Sequence, residues 1–442
     1  VNRYETDAVR QAFAAKGFRV LDDSEDADIF VINTCTVTAE ADRKSRQMIR
    51  RARRRNPAAI VVAMGCQVEL LKSASEADVS IGTQNRITVV DKVLERLGPV
   101  SSSESCADAL TAAKAVRSED APGSPADSPE HPRYQEFGPV LSQEETRAYI
   151  KIEDGCNNFC SYCIIPYARG RVVSRAPEDV IREANELASR GFHEIVLTGI
   201  HICSFGKDRG EDISALADLL DELDRIPQIH RIRLGSLEPN SLTEDFIIRI
   251  SAMRKICPHF HISLQSGSDG VLHRMNRRYG AAEYRTCISN IRRYFPGAAI
   301  TTDVIVGFPT ETDEEHLESL RFCREMAFSR IHVFPFSERK GTKAAELSPK
   351  VPPEKKTDRR DEFLLLSEEL SALFCGSLVG KTTAVLLETK DDDGGMAGYT
   401  AEYVRVRVKS EPDISQGMEA KVFIDSFADG ELFGRITSKS SV

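Results

Sequence analysis

Between residue 146 and about residue 375 the chain alternates short apolar runs with amphipathic stretches, and this limits its fold more than any other feature. Strand-like runs fall at Phe192–Thr198, His230–Gly235, His259–Leu264, Ala299–Val306 and Ile331–Phe336. Helical patterns such as Pro177–Ser189 and Ile213–Asp224 lie between them, and a charged amphipathic helix over Glu354–Phe374 leads out. Strands alternating with helices predict a parallel sheet, curled into a (β/α) barrel or part of one. In that architecture chemistry sits at the carboxyl ends of the strands. Those ends carry Thr198 and Gly199, Ser236 and Glu238, Gln265, and the turn of Val306, Gly307 and Pro309. Any one such glycine or proline can simply end a strand. Four polar or glycine-rich ends around one barrel point to a cofactor site.

Into the same region falls the run Gly155-Cys156-Asn157-Asn158-Phe159-Cys160-Ser161-Tyr162-Cys163-Ile164-Ile165-Pro166. Iron–sulfur clusters are held by cysteine thiolates, normally one per iron. Cys156, Cys160 and Cys163 at C-x3-C-x2-C spacing would leave one iron of a 4Fe-4S cube open to a substrate or cofactor. A zinc site asks for a fourth ligand in a second Cys or His pair, and none follows at a suitable distance. Three unrelated core thiols rarely fall at this spacing. The run resembles the signature of the radical S-adenosylmethionine enzymes. That resemblance implies a cluster whose open iron is chelated by the amino and carboxylate groups of S-adenosylmethionine, which is then cleaved to a 5′-deoxyadenosyl radical.

Residues 1 to 98 predict a second, smaller α/β unit. A helix over Tyr4–Lys16 stops at Gly17, a short strand is expected at Phe18–Leu21, and buried strands at Asp28–Asn33 and Ala59–Met64. The helix Ala41–Arg55 lies between the buried pair. Cys35 follows the first of these strands and Cys66 the second, where ligands collect in parallel sheets. Either cysteine alone reads as a buried thiol; the matching placement favours a shared site. The intervening helix carries Arg43, Lys44, Arg46, Arg50, Arg51, Arg53, Arg54 and Arg55 with no acid after Asp42. A charge run is usually a solvated face. Here it is not laced with i,i+4 partners, and a local cationic patch on an acidic protein suits phosphate contacts, with RNA the natural candidate.

With 59 Lys and Arg against 68 Asp and Glu, the net charge of −9 excludes a globally basic nucleic-acid binder. Eleven cysteines in a long charged chain point to a reducing compartment and to metal or catalytic use. No apolar run reaches membrane-spanning length and no signal peptide opens the sequence, so the expected location is cytoplasmic. Residues 99–143 are rich in Ser, Pro, Gly and acids over much of their length and predict a linker or mobile loop, with Cys106 incidental to it. The barrel unit is then 144–376. Cys203, Cys257, Cys287, Cys323 and Cys375 lack metal-ligand spacing and read as structural. Residues 377–440 change to strand patterns at Thr382–Glu388, Tyr399–Val408 and Met418–Ser426, predicting a small antiparallel barrel that binds RNA or caps the structure.

Nearly the whole chain resembles the methylthiotransferases, closest to the branch that modifies threonylcarbamoyladenosine in tRNA. The residues that carry this are Ala148–Asp154 and Tyr167–Arg171 around the cysteines, Val1–Thr6, Asn33–Thr38, Ala41–Gln47, Met275–Tyr279 and Phe336–Thr342. The resemblance implies a flavodoxin-like N-terminal domain, a radical S-adenosylmethionine partial barrel and a C-terminal TRAM domain of OB-like type. It implies two 4Fe-4S clusters: one on Cys156, Cys160 and Cys163, and an auxiliary one to which Cys35 and Cys66 give two of three ligands. The third ligand belongs just upstream of Asn2, so the N-terminal domain is expected to be truncated at its start. One S-adenosylmethionine then methylates the inserted sulfur, and the radical from a second takes hydrogen from carbon 2 of the adenine. The partners implied are tRNA, a reductant such as flavodoxin or ferredoxin, and a sulfur donor. The alternatives are the same chemistry on isopentenyladenosine or on a ribosomal-protein aspartate, and an RNA-binding protein that keeps clusters without turnover.

Overall fold

A computed structural model describes residues 1–21, 26–74, 76–98, 133–143, 145–391, 394–409 and 414–439. Most of the expected linker, and Cys106 with it, lies outside the described residues.

The N-terminal unit is a parallel sheet of β1 (Ile29–Thr34), β2 (Ile60–Gly65) and β3 (Val79–Ile81), with β2 central. β2 is buried at every position, as its unbroken apolar run requires of a strand covered on both faces. Val62 and Met64 meet Val9 and Phe13 of the helix Asn2–Ala15 and Val93 and Leu97 of the helix Val89–Leu97. Val61 and Ala63 face the other way, onto Ile49 and Ala52 of the helix Ala39–Arg55. The strand expected at Phe18–Leu21 does not form: Phe18 packs edge-on against Phe13 at 5.2 Å, so these residues cap the helix. Residues 133–143 run in extended form over both α/β units rather than free of them. Val140 is fully buried, Glu136 pairs with Arg175 at 2.7 Å, and Gln11 donates to the Pro139 carbonyl.

The central unit has six parallel strands: β4 (Ala148–Lys151), β7 (Glu194–Thr198), β8 (Arg231–Leu234), β9 (His259–His261), β10 (Ala299–Val306) and β11 (Arg330–Pro335). A two-stranded hairpin of β5 (Glu153–Asp154) and β6 (Val173–Ser174) flanks the cysteine loop. Isolated bridges at Ile232–Ile256 and Leu237–Ile262 join β8 to β9, and among the described residues β11 makes no pairing back to β4, so the barrel is partial. Side chains alternate across a strand, and here the alternation separates two chemistries. Ile195, Leu197, Ile232, Leu234, Phe260, Ile300, Val304 and Ile331 point outward into the core under the helices. Many of the inward positions are polar: Arg231, Arg233, His259, His261, Thr301, Asp303 and His332. A filled (β/α) barrel packs its interior with branched apolar residues; this one does not.

The C-terminal unit is a closed barrel in the order β12 (Thr382–Lys390), β13 (Met396–Thr400), β14 (Arg405–Val408), β16 (Glu431–Lys439), β15 (Glu419–Ala428). Two expectations need correction. Tyr399–Val408 is not one strand: it breaks at residues 401–404, where Tyr403 takes a left-handed φ of 66°. Nor is the barrel wholly antiparallel, because β14 pairs with β16 in parallel to close it. The break has a structural use, since Tyr403 plugs the amino-terminal end of the central barrel. Its ring lies 4.7 Å from each of the Arg147 and Arg233 guanidinium carbons and 5.2 Å from the His259 ring. Arg231 donates to the Tyr399 and Ala384 carbonyls, Arg233 donates to the Ala401 carbonyl, and Arg147 pairs with Glu388 at 2.8 Å.

A buried charge network locks the N-terminal unit onto the central one. Glu5, fully buried in the first helix, pairs with Lys151 at 2.7 Å, with Arg169 at 2.9 Å and with Arg86. Asp154 joins the same three cations, at 3.0 Å from Arg169 and 2.9 Å from Arg86. Burial alone would raise the Glu5 carboxyl, but Lys151, Arg169 and Arg86 overcome it and pull the pKa down to about 2. Glu5→Ala should therefore destabilise the protein by about 3–5 kcal/mol in urea unfolding, because it strands buried cations. The Glu5 contribution is complete above the ordinary carboxylate value of 4.5 and should be lost as pH falls toward 2, which a pH series of the same unfolding curves will show.

Candidate active site

The cysteine loop leaves β5 at Gly155, whose φ of 77° suits glycine; an added Cβ would lie 2.0 Å from the Arg171 carbonyl oxygen. Phe159 also takes a left-handed φ, of 49°, and is held there by its neighbours. Its ring meets Tyr167 edge-on at 5.8 Å and lies 4.5 Å from the Arg171 guanidinium carbon. The backbone is stapled as well: Ser161 N–H donates to the Met275 carbonyl, Asn276 Nδ2 to the Phe159 carbonyl, and Cys156 N–H to the Gly170 carbonyl. All three cysteines are half-buried thiols, and each sits in the electrostatic field of another. Burial pushes Cys156 up to about 11 and Cys163 up to about 12, so iron must displace the protons of these two thiols.

Among the described residues no three Cys, His, Asp or Glu side chains converge tightly enough to hold a single ion. That is compatible with a cube, which takes one thiolate per iron and spreads its ligands around a cluster. Three soft donors on one stapled loop fit a 4Fe-4S group.

Glu238, from the end of β8, is the hub beside this loop. It is buried and accepts from Asn158 Nδ2 at 2.9 Å, with His201 Nε2 at 2.8 Å and Arg277 at 2.9 Å. Burial raises its pKa, but His201, Arg277 and Asn158 outweigh this and bring it down to about 2. Arg277 also donates to Cys160 Sγ at 3.1 Å. Glu238 is thus the expected strand-end residue that the fold brings directly to the cysteines. Thr198 and Gly199 lie at the end of β7; a Cβ on Gly199 would fall 2.1 Å from Glu153 Oε1. Ser236 is exposed on the rim, and Gln265, at a φ of 71°, bridges to Val304 through its backbone. Val306 points outward into the apolar core, and Gly307 N–H donates to Glu311, which pairs with Arg359 of the last long helix; Pro309 lies in the same turn. Phe308 from that turn packs in the apolar cluster that also holds Tyr162 of the cysteine loop.

Sequence reasoning assigned no role to Glu153, His201, Asn158 or Arg277. Glu153 is fully buried with Oε2 unpartnered, and burial raises its carboxyl to about 8. Asn158 lay inside the cysteine motif and Arg277 inside Met275–Tyr279, so both stood in view; what was missing was the long-range contact that unites them at Glu238, 80 residues from Asn158.

In the N-terminal unit Thr34 pairs with Gly65, which brings Cys35 and Cys66 side by side at the ends of β1 and β2. Cys66 is buried, which raises its thiol, while Arg169 from the central unit counters this. No third ligand-type residue joins them in a metal-holding group among the described residues. On the helix Ala39–Arg55, the expectation of unpaired cations holds only in part. Arg43 and Lys44 pair with Glu40, Arg50 with Glu76 at 2.9 Å, Arg53 with Asp78 and Arg55 with Asp26 at 2.8 Å. Arg46, Arg51 and Arg54 are exposed and make no ion pair among the described residues, and Arg43, Arg46, Arg50 and Arg54 line a shallow groove. Cys203, Cys257, Cys287, Cys323 and Cys375 are buried with raised thiol pKa values, which leaves them inert.

Compared with known proteins, residues 150–323 match the Radical SAM superfamily and residues 1–82 match the Uncharacterized protein family UPF0004. Threonylcarbamoyladenosine tRNA methylthiotransferase MtaB of Bacillus subtilis is 37% identical over 94% of this chain and 89% of its own length. The chain belongs to the radical S-adenosylmethionine methylthiotransferase family. The tRNA-2-methylthio-N(6)-dimethylallyladenosine synthase of Dictyoglomus thermophilum is 34% identical over 94% of this chain and 91% of its own. Among solved structures, the radical S-adenosylmethionine methyltransferase TsrM from Kitasatospora setae shares the fold at a TM-score of 0.50, with 16% identity over 75% of this chain and 70% of that one. The chain is therefore an enzyme, and superfamily membership implies a 4Fe-4S cluster and S-adenosylmethionine. No helix among the described residues is long and apolar enough to cross a membrane.

If Glu238 organises the loop, Glu238→Ala should retain less iron per chain after anaerobic reconstitution than the native enzyme. Glu238→Gln, which keeps an acceptor for Asn158 and Arg277, should fall between the two in an iron assay.

Proposed function

We propose that this methylthiotransferase acts on tRNA, placing a methylthio group at carbon 2 of N6-threonylcarbamoyladenosine. The observation that carries the reading is the 37% identity, over nearly the whole chain, to a relative named for that nucleoside. When bound, a 4Fe-4S cluster and S-adenosylmethionine supply the one-electron chemistry that an unactivated aromatic C–H demands, since it offers no proton to a general base.

The chain's own residues do the holding and orienting. Cys156, Cys160 and Cys163 are the ligands of the cluster. Arg277 places a permanent positive charge against Cys160 Sγ. Glu238 fixes Asn158, His201 and Arg277 in one arrangement around the loop. Thr198, Gly199, Ser236 and Gln265 form the strand-end rim that would hold S-adenosylmethionine, with Glu153 packed beneath Gly199. We assign Cys35 and Cys66 to an auxiliary 4Fe-4S cluster as two of its ligands. A reductant and a sulfur donor must come from outside the chain. The cationic helix face, with Arg46, Arg51 and Arg54 unpaired, takes the RNA backbone, and the C-terminal TRAM-like barrel adds a second RNA-facing module.

Nucleoside mass spectrometry of tRNA from the source organism, with and without the gene, tests this reading. Loss of the 2-methylthio group from threonylcarbamoyladenosine alone is expected, restored by the native gene and not by Cys156→Ala, Cys160→Ala or Cys163→Ala. Loss from the isopentenyl nucleoside instead would move the assignment to the branch of the 34%-identical synthase. Replacing Arg46, Arg51 and Arg54 together by Ala should weaken tRNA binding and flatten its log–log salt dependence by about 2–3.

A further inference from the structure

We propose that the lumen of the partial barrel holds the target adenine out of its RNA stack, with the base stacked on Phe334 and its N6–H received by Asp303. The inference rests on the tRNA reading above and names the residues that touch the base.

Phe334 is a large apolar side chain left 44% exposed. Its strand fixes its direction: Ile331 and Val333 pack into the outer core, so His332 and Phe334 face the lumen. On β10 the alternation runs the same way. Thr302 Oγ1 donates to the Ile262 carbonyl beside Tyr284, and Val304 and Val306 lie in the outer core, so Thr301, Asp303 and Ile305 face inward. The parallel register sets Ile305 beside Phe334 and Asp303 beside His332. An apolar shelf therefore lies one layer above a carboxylate, inside a lumen that His259, His261, Thr301 and His332 make polar below it.

Asp303 is held rather than loose. Its Oδ2 lies 3.3 Å from His261 Nε2, and His261 Nδ1 lies 3.0 Å from Thr301 Oγ1. Its Oδ1 makes no hydrogen bond among the described residues, and the side chain is 29% exposed. An oriented carboxylate with a free acceptor, beneath an aromatic face, matches adenine, which offers a π-surface and an exocyclic N–H. Chemistry on a base requires taking it out of the stack into such a pocket.

The pocket also has an approach. Ser337, three residues beyond Phe334, accepts from Ala39 N–H at the start of the arginine helix, and Arg339 donates to Thr36 Oγ1 and pairs with Asp42. The cationic face thus begins beside the lumen wall, and a backbone bound along it brings an extruded base to Phe334. On another wall, Tyr279 donates to the Ser263 carbonyl and is bonded to Arg277, which touches Cys160. The pocket and the cysteine loop share a frame.

The test uses the full-length native chain and an anticodon stem–loop carrying 2-aminopurine at the target position. Binding is read by anisotropy and base stacking by fluorescence. The native chain should quench the probe, and Phe334→Ala should abolish the quench and weaken the anisotropy affinity by about 5-fold or more. In a second arm, stem–loops with N6-methyl- or N6,N6-dimethyladenosine are compared. The native chain should bind the dimethylated form about 10-fold more weakly, and Asp303→Ala should lose that discrimination. S-adenosylmethionine carries an adenine too, so its affinity is measured by equilibrium dialysis in both variants and should not change. An unaltered quench in Phe334→Ala, or a loss of S-adenosylmethionine affinity with the quench intact, overturns the pocket and leaves the tRNA reading standing. Failure of the native chain to bind any stem–loop overturns the tRNA reading, and the pocket's occupant with it.

Discussion

Five charges with almost no access to water decide how this enzyme is put together. Glu5, Arg86, Lys151, Asp154 and Arg169 come from two α/β units, and each would be an uncompensated buried charge without the others. The network is weak as glue, because every member loses hydration, but it is highly selective, since a slipped domain interface would leave cations unpaired. Asp154 stands two residues before Cys156, and Arg169 reaches into the field of Cys66. The contacts that dock the domains therefore also set how far the Cys35–Cys66 pair lies from the cysteine loop.

The parts of the fold that local pattern determines could be read from the sequence. Runs such as Ile60–Met64 and Ala299–Val306 are strands because nothing else buries them, and β2 and β10 stand close to where those runs lie. Cys35 and Cys66 fell at strand ends by the same reasoning, and their adjacency followed from a parallel register. Arg50 and Arg53 were harder, for their carboxylate partners Glu76 and Asp78 lie on a different element, 26 and 25 residues further on, beyond any helical spacing rule. Tyr403 is the plainest case. Its neighbours alternate like a strand, and only the arginines at the base of another domain explain why the backbone turns there. In β16 the apolar alternation is interrupted at Gly434, which a backbone carbonyl of β15 approaches too closely for any larger residue.

The site divides along the same line. Spacing within one loop exposed Cys156, Cys160 and Cys163, and the strand-end rule reached Glu238. The rule says where a residue stands but not which way it points, and so it grouped Val306, which faces the outer core, with Glu238, which faces the loop. Lumen chemistry is a matter of parity: once Ile331 and Thr302 are known to face the helices, His332 and Asp303 must face inward, and the polar interior becomes visible in the sequence in retrospect.

The C-terminal barrel does more than add a surface at the end of the chain. Here it supplies carbonyls to Arg231 and Arg233, a carboxylate to Arg147 and a ring that stoppers the catalytic barrel. Removing it would strip three arginines of their partners and flood the base of the lumen. For anyone engineering this enzyme, the module is not a cassette. A graft from a relative would succeed only where both sides of that joint are transplanted together.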